Sequence, residues 1–338
     1  MKKLKPKYKR FLVKKSKAGN AKKRVKKGYS PKRNTKLTPP RNILHFVDLP
    51  TPKIFRLQYE SCESVIEYIN KIKRVGKSGK HINIIMDDIV EIGEGAIAML
   101  LSVMQELVQE GIIFKGSKPT NPEAKDILEK SGFFKFVRGK VDENNSHTKN
   151  TILQTGDNTT SFSELANEIV SAMETVWGSK GRSPSVYGSV FEMMRNSCDH
   201  AFRHEHQIKW HFAISHSESE NTVKFSFVDN GKGIIKTFAD GILKKFLNLF
   251  QDNLDIVETA FKNGIKSRTG LNWRGKGLPT IFENYEDNHI KNLVVISNDV
   301  YIDFDRKIRH TLKNEFSGTY YYWKVDRNCI KECFELKK

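Results

Sequence analysis

Two folded domains, of α/β and α+β class, behind a basic tail are what the sequence predicts, and three observations carry that expectation. At 338 residues with 38% hydrophobic side chains, the chain exceeds the usual size of one domain and can fill ordinary cores. Residues 41–137 alternate short apolar runs with longer amphipathic ones, the pattern of strands layered with helices. Residues 138–160 are polar and rich in Asn, Thr and Gly, broken only by Ile152-Leu153, and are expected to link a first domain (41–137) to a second (161–338).

Charge separates the tail from the rest. Residues 1–40 hold 17 of the 58 Lys and Arg residues and no Asp or Glu, which leaves 41 basic against 39 acidic residues beyond them. The net charge of +19 therefore belongs mostly to the tail. A Lys-rich, aromatic-poor segment buries too little apolar surface to offset its ordering entropy, so residues 1–40 are expected to be disordered. Such an arm attracts polyanions (nucleic acid, ribosomes or an anionic membrane face), or serves only as a solubilising tail. No apolar run approaches the ~18 residues of a membrane span. The basic start lacks an apolar signal core, since lysines follow Phe11, Leu12 and Val13 at once. A soluble, cytoplasmic protein is expected. Cys62, Cys198, Cys329 and Cys333 are scattered, and reduced cysteines are expected rather than a zinc site.

Within the first domain, residues 54–59 read as a strand, and 61–75 as a helix with Val65, Ile66, Ile69 and Ile72 on one face. Residues 81–86 are a buried strand, 95–109 a strongly apolar helix, 112–115 a strand and 123–131 a helix. In the second domain, helices are expected at 163–177 and 185–203, strands at 210–215 and 222–229, and two closing strands at 293–297 and 319–325.

Three segments of the second domain could carry chemistry. Helix 185–203 places Glu192, Asn196 and His200 four residues apart, in one polar stripe beside Val186, Val190, Met194 and Ala201. A carboxylate can deprotonate an attacking hydroxyl, and an amide oxygen is a hard ligand for magnesium; an ordinary surface salt bridge or cap fits the same pair. The strand F-S-F-V-D ends in Asp229 and turns through Gly231 and Gly233, whose backbones can approach a ligand closely. On its own, D-N-G-K-G at 229–233 is also a common tight turn. R-G-K-G-L, with Arg274, Gly275, Lys276 and Gly277, opens another helix, where backbone N–H groups suit phosphate. Neither a Walker loop nor a dinucleotide fingerprint occurs.

In this order the segments resemble the GHKL, or Bergerat-fold, ATPase superfamily, which unites bacterial anti-sigma-factor serine kinases, histidine kinases, type II topoisomerase subunits, mismatch-repair proteins and heat-shock chaperones. FEMMRNSCDHA matches its N box, VDNGKGI its first glycine box, RGKGLPTI its second, and Gly318-Thr319 in SGTYYYWKV its closing strand. The resemblance covers residues 162–325. It implies a helix layer on a mixed, mainly antiparallel sheet, with ATP between the N-box helix and a lid at residues 235–273. It further implies that Asn196 ligates Mg²⁺, that Asp229 accepts from the adenine amino group with help from Thr319, and that Gly231, Gly233, Gly275 and Gly277 pass the nucleotide closely. Glu192 would be the base. Because 138–160 offers a linker where histidine kinases have a dimerisation helix pair, the compact serine-kinase-like members are the expected relatives.

The first domain resembles a STAS domain, the anti-sigma-antagonist fold, through NIIMDDIVEIGEGAIAMLL and PEAKDILEKSGFF. Where that family has Asp-Ser-Ser-Gly with a phosphorylatable Ser, this chain has Ile92-Gly93-Glu94-Gly95. Glu94 is either a phosphoserine mimic or a loop acid, so the ordinary phospho-switch is not expected. The expectations are a protein partner for this domain, and Mg-ATP hydrolysis or phosphoryl transfer by the second. The alternative is a non-catalytic, ATP-gated scaffold tethered to nucleic acid by residues 1–40.

Overall fold

A computed structural model describes residues 44–137, 151–156, 162–178, 183–199, 210–217, 219–239, 252–263 and 276–329, which form a mixed α/β structure. In chain order the elements are β1 (Phe46–Pro50), β2 (Ile54–Phe55), α1 (Cys62–Lys77), β3 (His81–Ile85), β4 (Glu91–Ile92), α2 (Glu94–Gln109), β5 (Phe114–Gly116), α3 (Pro122–Lys130) and α4 (Phe133–Val137). There follow β6 (Thr151–Gly156), α5 (Phe162–Trp177), α6 (Pro184–Asp199), β7 (Trp210–Ser217), β8 (Thr222–Asp229), α7 (Ile234–Ala239), α8 (Asn253–Asn263), α9 (Gly277–Glu286), β9 (Lys291–Asp303) and β10 (Ile308–Asp326).

Strands β1, β3 and β5 form a parallel sheet in the order β1-β3-β5. Helix α1 buries Val65, Ile66, Ile69 and Ile72, the one stripe its spacing allows. Helix α2 instead buries residues around most of its circumference, from Gly95 to Leu107, which a helix does only when covered on several sides. Its second cover is the other sheet. That sheet has five strands, all antiparallel, in the order β6-β7-β8-β10-β9. On one face Trp210, Phe212, Phe225, Phe227, Tyr321 and Trp323 pack with α5, α6, α8 and α9. On the opposite face Ala213, Val228, Val294, Ile296, Tyr301 and Tyr320 join the core of α1 and α2.

The expected separation into 41–137, a linker and 161–338 therefore needs correction in two places. Residues 151–156, inside the expected linker, form β6 and pair with β7 from Thr151↔Ser215 to Gly156↔Trp210. The first layer and the five-stranded sheet share one apolar core, and His45–Lys338 forms one compact unit. The seam between them is specific. A Cβ on Gly95 would stand 2.5 Å from the buried Tyr320 hydroxyl, and Gln105 Oε1 lies 3.1 Å from His211 Nε2 and 3.5 Å from Thr155 Oγ1. Asn70 Nδ2 donates to the Glu315 carbonyl at 2.8 Å, and Lys313 N donates to Glu63 Oε1 at 2.8 Å. Gly95→Val is expected to lower unfolding free energy by about 1–3 kcal/mol, because the Tyr320 ring cannot leave a filled core. Urea unfolding measures this, and a wild-type midpoint would show that the seam yields.

Two further expectations change. The proposed lid, 235–273, contains α8, which buries Ile256, Val257, Ala260 and Phe261. Asn253 Nδ2 donates to both Asp299 carboxylate oxygens at 2.9 Å, and Arg309 pairs with Asp255 at 2.6 Å and Glu258 at 3.1 Å. Residues 253–263 thus belong to the packed body. The closing strands also run longer than the apolar runs that announced them, because their flanks are polar yet still paired, as in Arg309↔Ile302. The strand expected at 54–59 shrinks to two residues, while β1, which ends at Pro50, was not anticipated. Cys62 and Cys329 are free and buried, which pushes their thiols up to about 12 and about 11. No described helix is long and apolar enough to cross a membrane.

Candidate functional site

Helix α6 starts where Ser183 and Pro184 make it start: Pro184 occupies the first turn, and Ser183 Oγ accepts from Val186 N at 3.4 Å. Its apolar side, Val186, Val190, Met193 and Met194, enters the core against the sheet. The four-residue spacing then sets Glu192 and Asn196 one above the other at the edge of that contact. Glu192 Oε2 pairs with Arg195 Nη2 at 2.8 Å.

The second glycine turn comes to this stripe. Helix α9 begins at Gly277 and is tied to α6 by Asn284 Nδ2, which donates to the Ser185 carbonyl at 3.0 Å and to Ser189 Oγ at 2.9 Å. A Cβ on Gly277 would meet Glu192 Oε2 at 2.5 Å and the Asn196 amide at 3.3 and 3.4 Å. Only a residue without a side chain lets α9 begin here while both polar groups stay beside it. Lys276, immediately before, is exposed. Arg274, Gly275 and His200 lie outside the described residues.

Asp229 closes β8, and burial pushes its carboxyl up to about 6, against hydrogen bonds from Gly231, Ser197 and Thr319 that pull it down. Gly231 N donates to Oδ1 at 2.8 Å, and Ser197 Oγ lies 3.2 Å from Oδ2 and 3.0 Å from the Met193 carbonyl. Sheet register places Trp210, Asp229, Thr319 and Ser297 in one transverse row, on the face that carries α6. Residues directly opposite in adjacent strands point to the same side, so Asp229, Thr319 and Ser297 form a polar floor beside Trp210 in an otherwise apolar face. Tyr321, two residues along from Thr319 on the same face, stands beside the Asn196 side chain and so spans the two halves of the site.

Of the residues singled out by sequence, the fold gathers Glu192, Asn196 and Gly277 into one group, and Asp229, Gly231 and Thr319 into another, joined through Ser197 and Tyr321. Gly233 stands off from both, against Asn298. Sequence reading missed Ser197, although it directly follows Asn196, and it missed Ser297 and Asn298, for which no local signal exists. Among the described residues no group of three or more His, Cys, Asp or Glu side chains is arranged to hold a metal. The Asn196 amide keeps a buried Nδ2 with no hydrogen-bond partner among the described residues. Amide nitrogen and oxygen exchange places by a flip, so this group has capacity for a ligand that the protein does not use. Magnesium held mainly by phosphates needs only one or two protein oxygens, and a single amide fits that demand. Comparison of the chain with protein-family models, with curated proteins and with solved structures gave no significant match.

Proposed function

We propose that the chain is a nucleoside-triphosphate-binding protein whose site lies between α6, the turn after Asp229 and the start of α9. More particularly, we read it as a GHKL-type Mg-ATP-binding protein, nearest to the anti-sigma-factor serine kinases, with a STAS-like layer on the back of its sheet. The reading is carried by one observation: the start of α9 abuts Glu192 and Asn196 through Gly277, on the same sheet face that holds the buried Asp229. The sequence motifs had to converge in space for the resemblance to have chemical meaning. The antiparallel sheet carrying helices on the site face supports the Bergerat reading, and the parallel β1-β3-β5 layer with α1 and α2 supports the STAS-like one.

In this reading the Asp229 carboxylate accepts from the adenine amino group, supported by the backbone of Gly231 and Thr319. The backbone of Gly277 and the Lys276 side chain serve the phosphates, and the resemblance assigns the same task to Arg274 and Gly275, outside the described residues. Asn196 would hold magnesium, which neutralises phosphate charge when bound. Glu192, paired with Arg195, takes the proton of water or of a partner's hydroxyl as it attacks the terminal phosphorus. The bond to the leaving diphosphate breaks, and the proton remains at Glu192 until released to solvent. A cytoplasmic setting, a protein partner at the first layer and nucleic acid at residues 1–40 belong to the same proposal.

Glu192→Gln is expected to retain ATP binding and to lose about 10²–10⁴-fold in turnover, the usual contribution of a general base. Terminally labelled ATP, followed as released phosphate and as protein-bound label, measures both routes. Full turnover in the variant would remove Glu192 from the chemistry. A wild type that binds ATP and transfers no phosphate would leave the nucleotide-gated scaffold.

A further inference from the structure

The turn after Asp229 is held by two residues more than sixty positions away. Ser297 and Asn298, on β9, are 0% and 3% exposed. Ile234 N donates to Ser297 Oγ at 2.8 Å, and Ile235 N donates to Asn298 Oδ1 at 3.1 Å. These are first-turn N–H groups of α7, which have no acceptor within the helix. In return Asn298 Nδ2 donates to the Lys232 carbonyl at 2.8 Å and to Glu315 Oε1 at 3.0 Å. Glu315 also pairs with Lys236 at 2.5 Å. Ser297 Oγ lies 3.2 Å from the Gly318 carbonyl and 3.4 Å from Thr319 Oγ1.

The backbone is bent to make these contacts. Asn298 has φ +56°, a conformation that Asn tolerates better than most residues. The pairing of β9 with β10 shifts register between Phe316↔Asn298 and Thr319↔Ser297, and such bulges re-aim side chains. Gly233, at φ +81°, has no room for a Cβ because the Asn298 side-chain amide occupies that place. One amide therefore binds residues on both sides of Gly233 and sets its backbone.

We infer that Asn298 is a positioning residue for the turn, fixing the backbone of residues 232–235 that follows Asp229 and Gly231, and hence the adenine end of the site. Its role toward nucleotide rests on the reading above. Its grip on the turn does not. A residue that merely stabilised the sheet would change melting without selectively loosening residues 232–235 or weakening nucleotide.

Backbone amide exchange and ATP titration on the full chain test this with Asn298→Gly, which keeps the positive φ and removes both contacts. Exchange at Ile234 and Ile235 is expected to quicken about tenfold or more, and ATP affinity to fall about tenfold, with cooperative melting retained. Asn298→Asp keeps the acceptor for Ile235 N and loses the donor, so Ile235 is expected to stay protected while affinity still falls. Unchanged exchange over residues 232–235 in Asn298→Gly overturns the grip on the turn. Quicker exchange with unchanged affinity, in a protein whose wild type binds ATP, overturns the role toward nucleotide. A wild type without ATP affinity overturns that role together with the nucleotide reading, while exchange still decides the grip.

Discussion

Asp229→Asn is expected to cost roughly 10²-fold in ATP affinity while making the empty protein more stable above pH 6. The carboxyl is buried and holds its proton to about pH 6 in the folded chain, against 3.8 as its ordinary value. Between those values the folded state binds a proton that the unfolded state has released. Stability therefore falls as pH rises from about 4 to about 6, and above pH 6 the full deficit remains, about 1–3 kcal/mol. Asparagine has no charge to bury. Its Oδ1 can still accept from Gly231 N, and its Nδ2 can donate to Ser197 Oγ, which keeps its own bond to the Met193 carbonyl. Nucleotide binding reverses the balance, because a donor then faces the donor of the adenine ring. Thermal melts at pH 5 and pH 8, with calorimetric titration of ATP, measure both sides. In the wild type, affinity is expected to weaken as pH falls through about 6, when the acceptor becomes protonated. Equal ATP affinity in variant and wild type would sink the assignment of Asp229 to the base.

Gly318→Ala is expected to be the most destabilising single-methyl change at the site, by about 3–5 kcal/mol. Gly318 has φ +127°, a region that L residues rarely enter, and an added Cβ would run into the backbone carbonyl of Asp229. That obstacle is main chain in the middle of a sheet, so relief requires separating β8 from β10, a larger disturbance than rotating a side chain. The residue sits in the irregular pairing between Phe316↔Asn298 and Thr319↔Ser297, where a glycine lets the strand resume its ladder at Thr319↔Asp229. Urea unfolding gives the magnitude, with Ser317→Ala, whose Oγ lies 3.3 Å from the Gly231 carbonyl, as a neighbouring control expected to stay within about 1 kcal/mol. A Gly318→Ala midpoint near that of the control would mean that the bulge is not constrained as described.

The site was partly legible because part of it is local. Glu192 and Asn196 share a stripe as soon as residues 185–199 are helical, and Asp229 ends a strand because V-K-F-S-F-V-D is followed by two glycines. Both follow from chain periodicity and turn chemistry. Ser197 was within reach, being on the same helix, but its role depends on Asp229 arriving from β8. Ser297 and Asn298 were not legible: their partners are 63 residues away, and a one-residue change of register would send both side chains elsewhere.

By itself the sequence determined the basic tail, the alternation of strands and helices, and the residue types that could touch a nucleotide, since composition and local period carry that information. Tertiary structure alone decided that α2 is covered by a second sheet, that residues 151–156 supply an edge strand, that α8 is packed rather than part of a lid, and that β9 grips the turn after Asp229. A helix apolar on every side and a strand buried on both faces announce burial without naming what buries them. Naming it takes the pairing of strands distant in sequence, which only the folded chain specifies.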